Sequence, residues 1–367
     1  MSQLTIPGMI DAHVHLREPG ASHKEDITSG TTAALAGGVI AVLDMPNNTP
    51  PSTDPRRLAL KQALFAAKAV SDYGLFVGFD GYDVSAVVRA APQAVGLKLY
   101  LDQTYGNMTT REPASLSAVF EAWPGPGPIA IHAESAAIRA ALLLAKRYRQ
   151  RLHICHVPAP DDLLCIDEAR QGGTRVTCEV TPHHLFLSRE DEARLGPYGR
   201  MKPPLVSPSD RALFWERLHL VDLVASDHAP HTRQEKDGAT PPPGVPGLET
   251  SLPLLLYAVD QGSLTLERLL ELIWHNPLRV YGLLAPAHSA VDVDLGHPYQ
   301  LPLGGYHTKC GWSPFAGQWA TGHITRVTLR GQTVWQADTL LVTAGFGRPL
   351  ARNTARPAAS TPQEVQP

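Results

Sequence analysis

The chain has 367 residues, of which 43% are hydrophobic and 18% are charged. This composition supplies a sizeable apolar core and excludes a disordered or coiled-coil protein, while the length favours one large domain with a small appendage. The 32 basic and 35 acidic residues leave a net charge of −3, without long runs of either sign, so we expect no nucleic-acid or membrane-surface partner.

Residue usage also bears on the compartment. The longest apolar run, residues 33–43, is too short to span a membrane, and the first residues lack the layout of a signal peptide. The four cysteines form no CxxC pair, which favours reduced thiols. We therefore expect a cytoplasmic protein.

Short apolar, β-branched runs alternate with helical patterns along the first two thirds of the chain. The helical segments include residues 54–70 and 135–149, which are rich in Ala, Leu, Lys and Arg. The strand-like runs are residues 9–13, 39–44, 73–79, 95–100, 128–132, 151–156, 174–180 and 223–226. Eight such strand-helix units predict an α/β fold, a closed (β/α)₈ TIM barrel.

The pattern of apolar and polar residues changes after the eighth strand-like run. Helical patterns cover residues 249–282, and short alternating β runs follow, notably residues 324–329 before the turn at Gly331. The last residues are rich in Pro, Ala, Ser, Thr and Gln without periodicity. We expect a barrel over residues 1–284, a small β appendage over residues 285–347 and a flexible tail over residues 348–367.

Ionisable residues stand at the ends of the predicted barrel strands. His13 and His15 are two residues apart, so their side chains share one face of the first strand. Four more such residues end strands four, five, six and eight: Lys98, His132, His156 and Asp227. A TIM barrel places its active site at the carboxyl ends of its strands, so we expect these side chains to converge.

This residue set has a definite metal preference. Four histidines, an aspartate and a lysine supply mostly nitrogen with a little hard oxygen, which suits Zn²⁺ better than Ca²⁺ or Mg²⁺. Two closely spaced metals need a bridging anion. In this set the bridge would be Lys98, once CO₂ has added to its uncharged amine to give a carbamate.

At these residues the sequence resembles a known family, the metal-dependent cyclic amidohydrolases, and within it the dihydroorotases of the animal type. The resemblance covers about residues 7–343. Its motifs are PGMIDAHVHLREPG, AVLDMPNNTPP, GLKLYLDQTY, HICHV, TCEVTPHHLFLS, ASDHAPHT, PPPGVPGLET and HNPLRVYGL. It implies the reversible cyclisation of N-carbamoyl-L-aspartate to L-dihydroorotate, a step of de novo pyrimidine biosynthesis.

The resemblance also implies a ligand set and a mechanism. His13, His15 and Asp227 would hold one zinc ion, His132 and His156 would hold the second, and carboxylated Lys98 would bridge them. A hydroxide bridging the metals would attack the ring amide, with Asp227 as the general acid and base.

Three residues would contact the substrate by the same resemblance. Arg17 and Asn47 would bind its free carboxylate, together with His231. An Arg fork beside a metal site suits a bidentate grip on a carboxylate. The alternatives are a surface ion pair for Arg17, a turn residue for Asn47 and an ordinary loop histidine for His231.

Other positions of the resemblance leave alternatives open. Cys155 and Glu179, with His132, resemble a third zinc site, but simple strand alternation turns Cys155 away from the neighbouring His156, and a buried structural thiol is the alternative. Lys202 stands where the animal-type enzyme has an arginine, which puts its substrate role in doubt.

Thr104 and Tyr105 match the tip of a family loop that closes over the substrate, and the alternative is an exposed turn. For His183 and His184 we expect capping or core roles.

Two rival functions remain at this stage. Another cyclic amidohydrolase, a dihydropyrimidinase or allantoinase, would share the metals and differ in the pocket, where Arg17 favours an acidic substrate. A catalytically dead barrel kept as a scaffold would show lost metal ligands, and all six are present. Expected partners are the small-molecule substrate, a second copy in a homodimer and, in addition, an aspartate transcarbamoylase.

Overall fold

The structure is a computed structural model that describes residues 3–103, 108–110 and 112–353. Its parallel strands form the barrel, and its antiparallel strands form a five-stranded sheet and a separate two-stranded sheet, β12-β13. In chain order the strands are β1 Gln3–Ile6, β2 Met9–Val14, β3 Val39–Asp44, β4 Asp72–Leu75, β5 Val77–Gly78, β6 Leu97–Tyr100, β7 Ile129–His132, β8 Leu152–Ile154, β9 Val176–Val180, β10 Leu223–Val224, β11 Ala290–Asp294, β12 Tyr299–Gln300, β13 Trp319–Ala320, β14 His323–Leu329, β15 Gln332–Gln336 and β16 Thr339–Leu340.

The predicted eight-stranded barrel is confirmed. The hydrogen-bonded order is β2-β3-β4 and β5-β6-β7-β8-β9-β10, all parallel, and β4 and β5 are two parts of one strand interrupted at Phe76. A parallel bridge between Val14 and His228 closes the barrel, with a 2.8 Å bond from the amide of His15 to the carbonyl of His228. Strands β2 and β3 are buried at every residue, because helices cover one face and the interior covers the other.

Amphipathic helices surround the barrel. In the helix at residues 135–148, Ile138, Ala141, Leu142 and Ala145 are buried at the spacing of one helical face. The helices are α1 Ile27–Ala36, α2 Pro55–Lys68, α3 Val84–Ala90, α4 Pro113–Ala122, α5 Ser135–Tyr148, α6 Pro160–Gln171, α7 Pro182–Phe186, α8 Arg189–Leu195, α9 Pro208–Glu216, α10 Arg233–Lys236, α11 Ser251–Asp260, α12 Leu266–Leu270 and α13 Asn276–Tyr281. A π-helical turn, Glu271–His275, joins α12 to α13. Within the described ranges, no helix is long and apolar enough to cross a membrane.

The predicted β appendage is present as an antiparallel sheet in the order β1-β11-β14-β15-β16. Strand β1 pairs with β11 from Gln3 opposite Asp294 to Ile6 opposite Val291, so the first strand of the chain lies in this sheet. At the other end, residues 348–353 bond to the barrel, where Leu350 donates to the carbonyl of Tyr73 at 2.8 Å. We keep the domain boundaries at residues 284 and 347 as a proposal.

The barrel interior is apolar at one end and polar at the other. Side chains from several strands fill the apolar end, with Tyr281 packed edge-on against Phe76 at 5.6 Å between ring centroids. The carboxyl ends of the strands carry the ionisable residues, and Tyr100 of β6 stands opposite His132 of β7 in the sheet register. The fold therefore places the predicted site residues at one end of a solid barrel.

Candidate active site

The predicted metal ligands converge at the carboxyl end of the barrel. Ligand-type atoms of His13, His156 and Asp227 lie within 4.8 Å of one another. His132 joins this group, with its Nδ1 3.0 Å from Nε2 of His156. His15 lies on the other side, with its Nε2 3.1 Å from Oδ1 of Asp227. All five side chains are buried, so four different strands supply one shared site.

The backbone adopts an unfavourable conformation at several of these residues. Arg17, His156 and Asp227 have φ angles of 62°, 31° and 48°, a region that side chains with a Cβ rarely adopt. Such strain is characteristic of functional sites, where the surrounding structure holds it in place. Three of the predicted functional residues therefore sit in strained loops directly after barrel strands.

The backbone kink at His156 allows the neighbouring Cys155 side chain to point into the site. Strand β8 ends at Ile154, and the turn that follows allows Cys155 and His156 both to face the interior. The Sγ of Cys155 is fully buried 3.0 Å from Nζ of Lys98. Our expectation that simple alternation turns Cys155 away from the site was wrong, because the φ angle of 31° at His156 breaks the alternation between these two residues.

Hydrogen bonds set the orientation of the first two histidines. The Nδ1 of His13 lies 2.5 Å from Oε1 of Glu179, and the Nδ1 of His15 lies 2.7 Å from Oδ1 of Asn47. Because both oxygens accept, each Nδ1 carries the proton. Both Nε2 atoms then present lone pairs toward Asp227, at 3.4 Å from His13 and 3.1 Å from His15. This is the tautomer that a metal-binding histidine requires.

The Glu179 carboxylate is bonded to several protein donors. Besides His13, it accepts from Nε2 of His153 at 3.0 Å and from the amide of His156 at 3.3 Å. Sequence reasoning missed His153, although its spacing two residues before Cys155 placed both on one face of the strand. Tyr100 was missed in the same way, two residues after Lys98, and it lines the site.

The protonation states of these histidines and of Asp227 suit the binding of a metal cation. Burial, followed by the charge of Lys98, lowers the pKa of His132 to about 3, and burial lowers the pKa of His15 to about 4. Burial raises the pKa of Asp227, but His13 and His15 together hold it well below its usual range. Neutral imidazoles around a carboxylate are the form in which these side chains bind a divalent metal. The donor set therefore fits one.

Lys98 is fully buried in β6 beside this group. Its Nζ contacts the Cys155 thiol and lies 5.2 Å from the ring centre of Tyr100. Among the described residues, no carboxylate oxygen lies within 4.0 Å of this amine. Lys98 therefore lies beside the ligand group, with the Cys155 thiol as its hydrogen-bond partner.

A cavity of about 390 Å³ opens above the cluster. It is lined by the predicted ligands and by predicted substrate residues and neighbours: His13, His15, Arg17, Asn47, Tyr100, His132, His156, Lys202, Asp227, Ala229, Pro243 and Gly244. The side chain of Lys202 is 43% exposed, with Nζ 3.9 Å from Oε1 of Glu134, so it lies at the rim. Thr104 and Tyr105 lie outside the described residues.

Arg17 lines the cavity, and His231 is buried behind it. Arg17 is 6% exposed, and its Nε donates to the carbonyl of Pro230 at 3.2 Å. His231 is fully buried and touches the guanidinium at 3.2 Å, with Nδ1 3.0 Å from Nζ of Lys24. In this arrangement Arg17 reaches the cavity and His231 supports it from behind.

The predicted roles of the remaining histidine pair fit the structure. His184 is buried, with Nδ1 2.8 Å from Oγ1 of Thr181 and Nε2 3.4 Å from the carbonyl of Pro204. His183 is buried beside it, at 4.6 Å between ring centroids. Both lie in α7 after the seventh barrel strand.

A TIM barrel with clustered histidine and aspartate side chains at the carboxyl ends of its strands is the arrangement of an amidohydrolase. The model of the Amidohydrolase family matches residues 4–177. The dihydroorotase of Halobacterium salinarum is 38% identical over 375 residues, covering 91% of this chain and 87% of that protein. The chain belongs to this family, and within it to the dihydroorotases.

Two further relatives define the limits of the comparison. The multifunctional protein CAD of Squalus acanthias is 42% identical over 94% of this chain, and the chain spans only 15% of that protein's length. Among solved structures, an L-hydantoinase (dihydropyrimidinase) from Arthrobacter aurescens superimposes with a TM-score of 0.91 at 26% identity, covering 95% of this chain and 89% of that one. The barrel is therefore shared with enzymes named for other cyclic amides.

Proposed function

We propose that this chain catalyses the reversible cyclisation of N-carbamoyl-L-aspartate to L-dihydroorotate in pyrimidine biosynthesis. The observation that carries the proposal is one buried cavity that joins a metal-binding cluster to a guanidinium. The cluster supplies the chemistry of amide hydrolysis, and Arg17 supplies a partner for the substrate carboxylate. The dihydroorotase relatives support this assignment.

We propose a pair of zinc ions as the cofactor. His13, His15 and Asp227 would hold one ion, and His132 and His156 would hold the other, with carboxylated Lys98 between them. When bound, such ions lower the pKa of a water molecule toward neutrality and polarise the amide carbonyl. The support is the convergence of neutral imidazoles on a carboxylate at a buried site.

The chain's own residues orient the substrate and move the proton. Asp227 is held as a carboxylate, so it takes the proton of the attacking water and passes it to the leaving ring nitrogen. Asn47 accepts from His15 through Oδ1, which leaves its amide hydrogens for the substrate carboxylate beside Arg17. In the biosynthetic direction Asp227 returns the proton as the ring closes.

The charge around Arg17 favours dihydroorotate over the neutral rings of dihydropyrimidinase or allantoinase. Burial, together with the charges of Arg17, Lys24 and Lys236, lowers the pKa of His231. A positive field of this kind attracts an anionic substrate, and a neutral ring would bring no anion into it. A scaffold role has no such support, because all six ligand-type residues are retained.

We propose two metals and assign Glu179 an orienting role, because it accepts from three donors of the chain itself. The alternative is the third ion that the resemblance implies at His132, Cys155 and Glu179, although the histidine whose ligand-type atom lies within 4.8 Å of Cys155 and Glu179 is His13. Lys202, Thr104 and Tyr105 remain proposed substrate contacts at the cavity mouth. A homodimer, cooperation with an aspartate transcarbamoylase and a cytoplasmic location are further proposals, the last supported by four free cysteines.

The test combines metal analysis with a hydrolysis assay on the full chain. We expect about two zinc ions per chain and hydrolysis of dihydroorotate that chelation abolishes and added zinc restores. His15→Ala should lose several orders of magnitude in turnover, whereas His23→Ala should retain full activity, because the His23 side chain is 62% exposed and outside the cavity. Full activity in a metal-free preparation would contradict the proposal.

A further inference from the structure

The opposite end of the barrel holds a guanidinium whose hydrogen bonds are unfilled. Arg352 has both terminal nitrogens, Nη1 and Nη2, buried from solvent without a hydrogen-bond partner among the described residues. Burial and the charge of Arg151 both lower its pKa. A buried guanidinium without an acceptor is energetically costly, so the geometry is that of a site lacking its anion.

The surroundings of Arg352 keep it in place. Its backbone pairs with Leu283, and the next residue, Asn353, donates to the carbonyl of Gly282 at 2.9 Å. Arg151 brings positive charge and is held to the backbone, because Nη1 donates to the carbonyl of Pro126 at 2.7 Å and Nη2 donates to the carbonyl of Val280. Arg352, in contrast, has no acceptor for either terminal nitrogen among the described residues.

Arg352 lines an open cavity at the amino ends of the barrel strands. Within the described residues it is the one charged side chain of that lining, and most of the wall is apolar, including Leu75, Val95, Pro349 and Leu350. The Gln62 amide donates to the carbonyl of Gln93 at 3.2 Å. The cavity thus combines an apolar wall with one cationic fork.

We propose that this cavity binds a monocarboxylate with an apolar body. The two unfilled nitrogens of Arg352 match the two oxygens of a carboxylate in a bidentate pair. A phosphate dianion would require further donors, and Arg151 does not line the cavity. The apolar body would cover the wall formed by Leu75, Val95 and Leu350, where burial of hydrocarbon adds to the affinity.

This site is separate from the proposed catalytic cavity. The proposed catalytic cavity lies at the carboxyl ends of the strands, whereas Tyr73 and Val95 line this one near the starts of β4 and β6. None of its lining residues is shared with the catalytic cavity. The inference therefore stands or fails independently of the proposed reaction.

Titration calorimetry of the full chain with sodium hexanoate tests the proposal. We expect saturable binding by hexanoate, at least about tenfold weaker binding by the neutral analogue 1-hexanol, and a similar loss in Arg352→Met. Arg194→Met is the matched control, because that side chain is 60% exposed and should leave binding unchanged. Hydrolysis of dihydroorotate should be the same in all three proteins.

Several outcomes would overturn the proposal. Absence of saturable hexanoate binding, or equal binding in Arg352→Met, would remove its basis. Hexanoate bound at Arg17 instead would inhibit hydrolysis competitively and would persist in Arg352→Met. Tighter binding of inorganic phosphate than of hexanoate would reject the carboxylate class. Ligand-free Arg352→Met should melt no lower than the wild type, and a clearly lower melting temperature would show that the guanidinium is already paired within the chain.

Discussion

The substitution Arg17→Met tests how this chain distinguishes dihydroorotate from neutral ring amides. Arg17 is 6% exposed and lines the proposed catalytic cavity. Methionine keeps much of the apolar stem and removes the charge and the bond to the carbonyl of Pro230. The substituted protein keeps its metal-binding residues, since Arg17 is not among them, so the change should act on substrate recognition.

The expected loss follows from the burial of the charge pair. Removing one partner of a desolvated ion pair costs about 2 to 5 kcal/mol, or about 30- to 4,000-fold in kcat/KM. Lys24 remains nearby, 3.0 Å from Nδ1 of His231, and retains part of the positive field. We therefore expect a loss nearer the lower end, about 100-fold, for dihydroorotate. Hydrolysis of dihydrouracil, which has the same ring amide without the carboxylate, should change by less than about threefold.

The assay is steady-state hydrolysis of both substrates by wild type, Arg17→Met and Arg17→Lys at equal metal content. Arg17→Lys keeps the charge without the bidentate fork and should fall between the other two. A wild-type preference for dihydrouracil, or an unchanged ratio of the two substrates in Arg17→Met, would refute the carboxylate assignment. Loss of bound metal in Arg17→Met would show that the residue acts on the cluster instead.

Three further substitutions examine the cluster and its support. Lys98→Ala should lose bound metal and activity together, with partial rescue by acetate, and an active variant with full metal content would reject the carbamate bridge. Glu179→Ala removes the acceptor of His13, so metal affinity measured by competitive chelation should fall about 10- to 100-fold, and unchanged affinity would contradict the orienting role. Lys61→Met should cost about 3 to 5 kcal/mol in urea denaturation, because it leaves the fully buried Asp44 carboxylate, now 2.5 Å from Nζ of Lys61, without its partner. A loss below about 1 kcal/mol would contradict this stabilising role of the buried ion pair.

The barrel was predictable because its signal is local. Strands buried on both faces give continuous apolar runs, and β3 starts and ends where its run predicts, at Val39 and Asp44. The pairing of β1 with β11 was not predictable in this way. Its partner residues, such as Thr5 and Asp292, are far apart in the chain, and no local pattern specifies a partner at that distance.

The features of the site that depend on local sequence were predictable, and those that depend on packing between distant segments were not. Strand alternation predicts that the side chains of His13 and His15 share one face. The position of TIM-barrel active sites at the carboxyl ends of the strands predicts that both lie close to Asp227. The facing of Cys155 depends on the φ angle of 31° at His156, which local alternation cannot supply. The contact of His231 with Arg17 likewise depends on how two loops pack. The sequence therefore indicated both residues, and only the structure shows that His231 lies buried behind Arg17.

The closing contact of the barrel and the assembly of the catalytic cluster are one structural event. The amide of His15 donates to the carbonyl of His228, and this bond joins the first barrel strand to the last. The same contact brings His15 within 3.1 Å of Asp227, although 212 residues separate them. An ion held by both residues would bind the closed barrel and not the open one, so its binding free energy would add to the stability of the fold. The strained backbone at Asp227 is sustained by that closure, which explains how an unfavourable conformation persists at the proposed general acid and base.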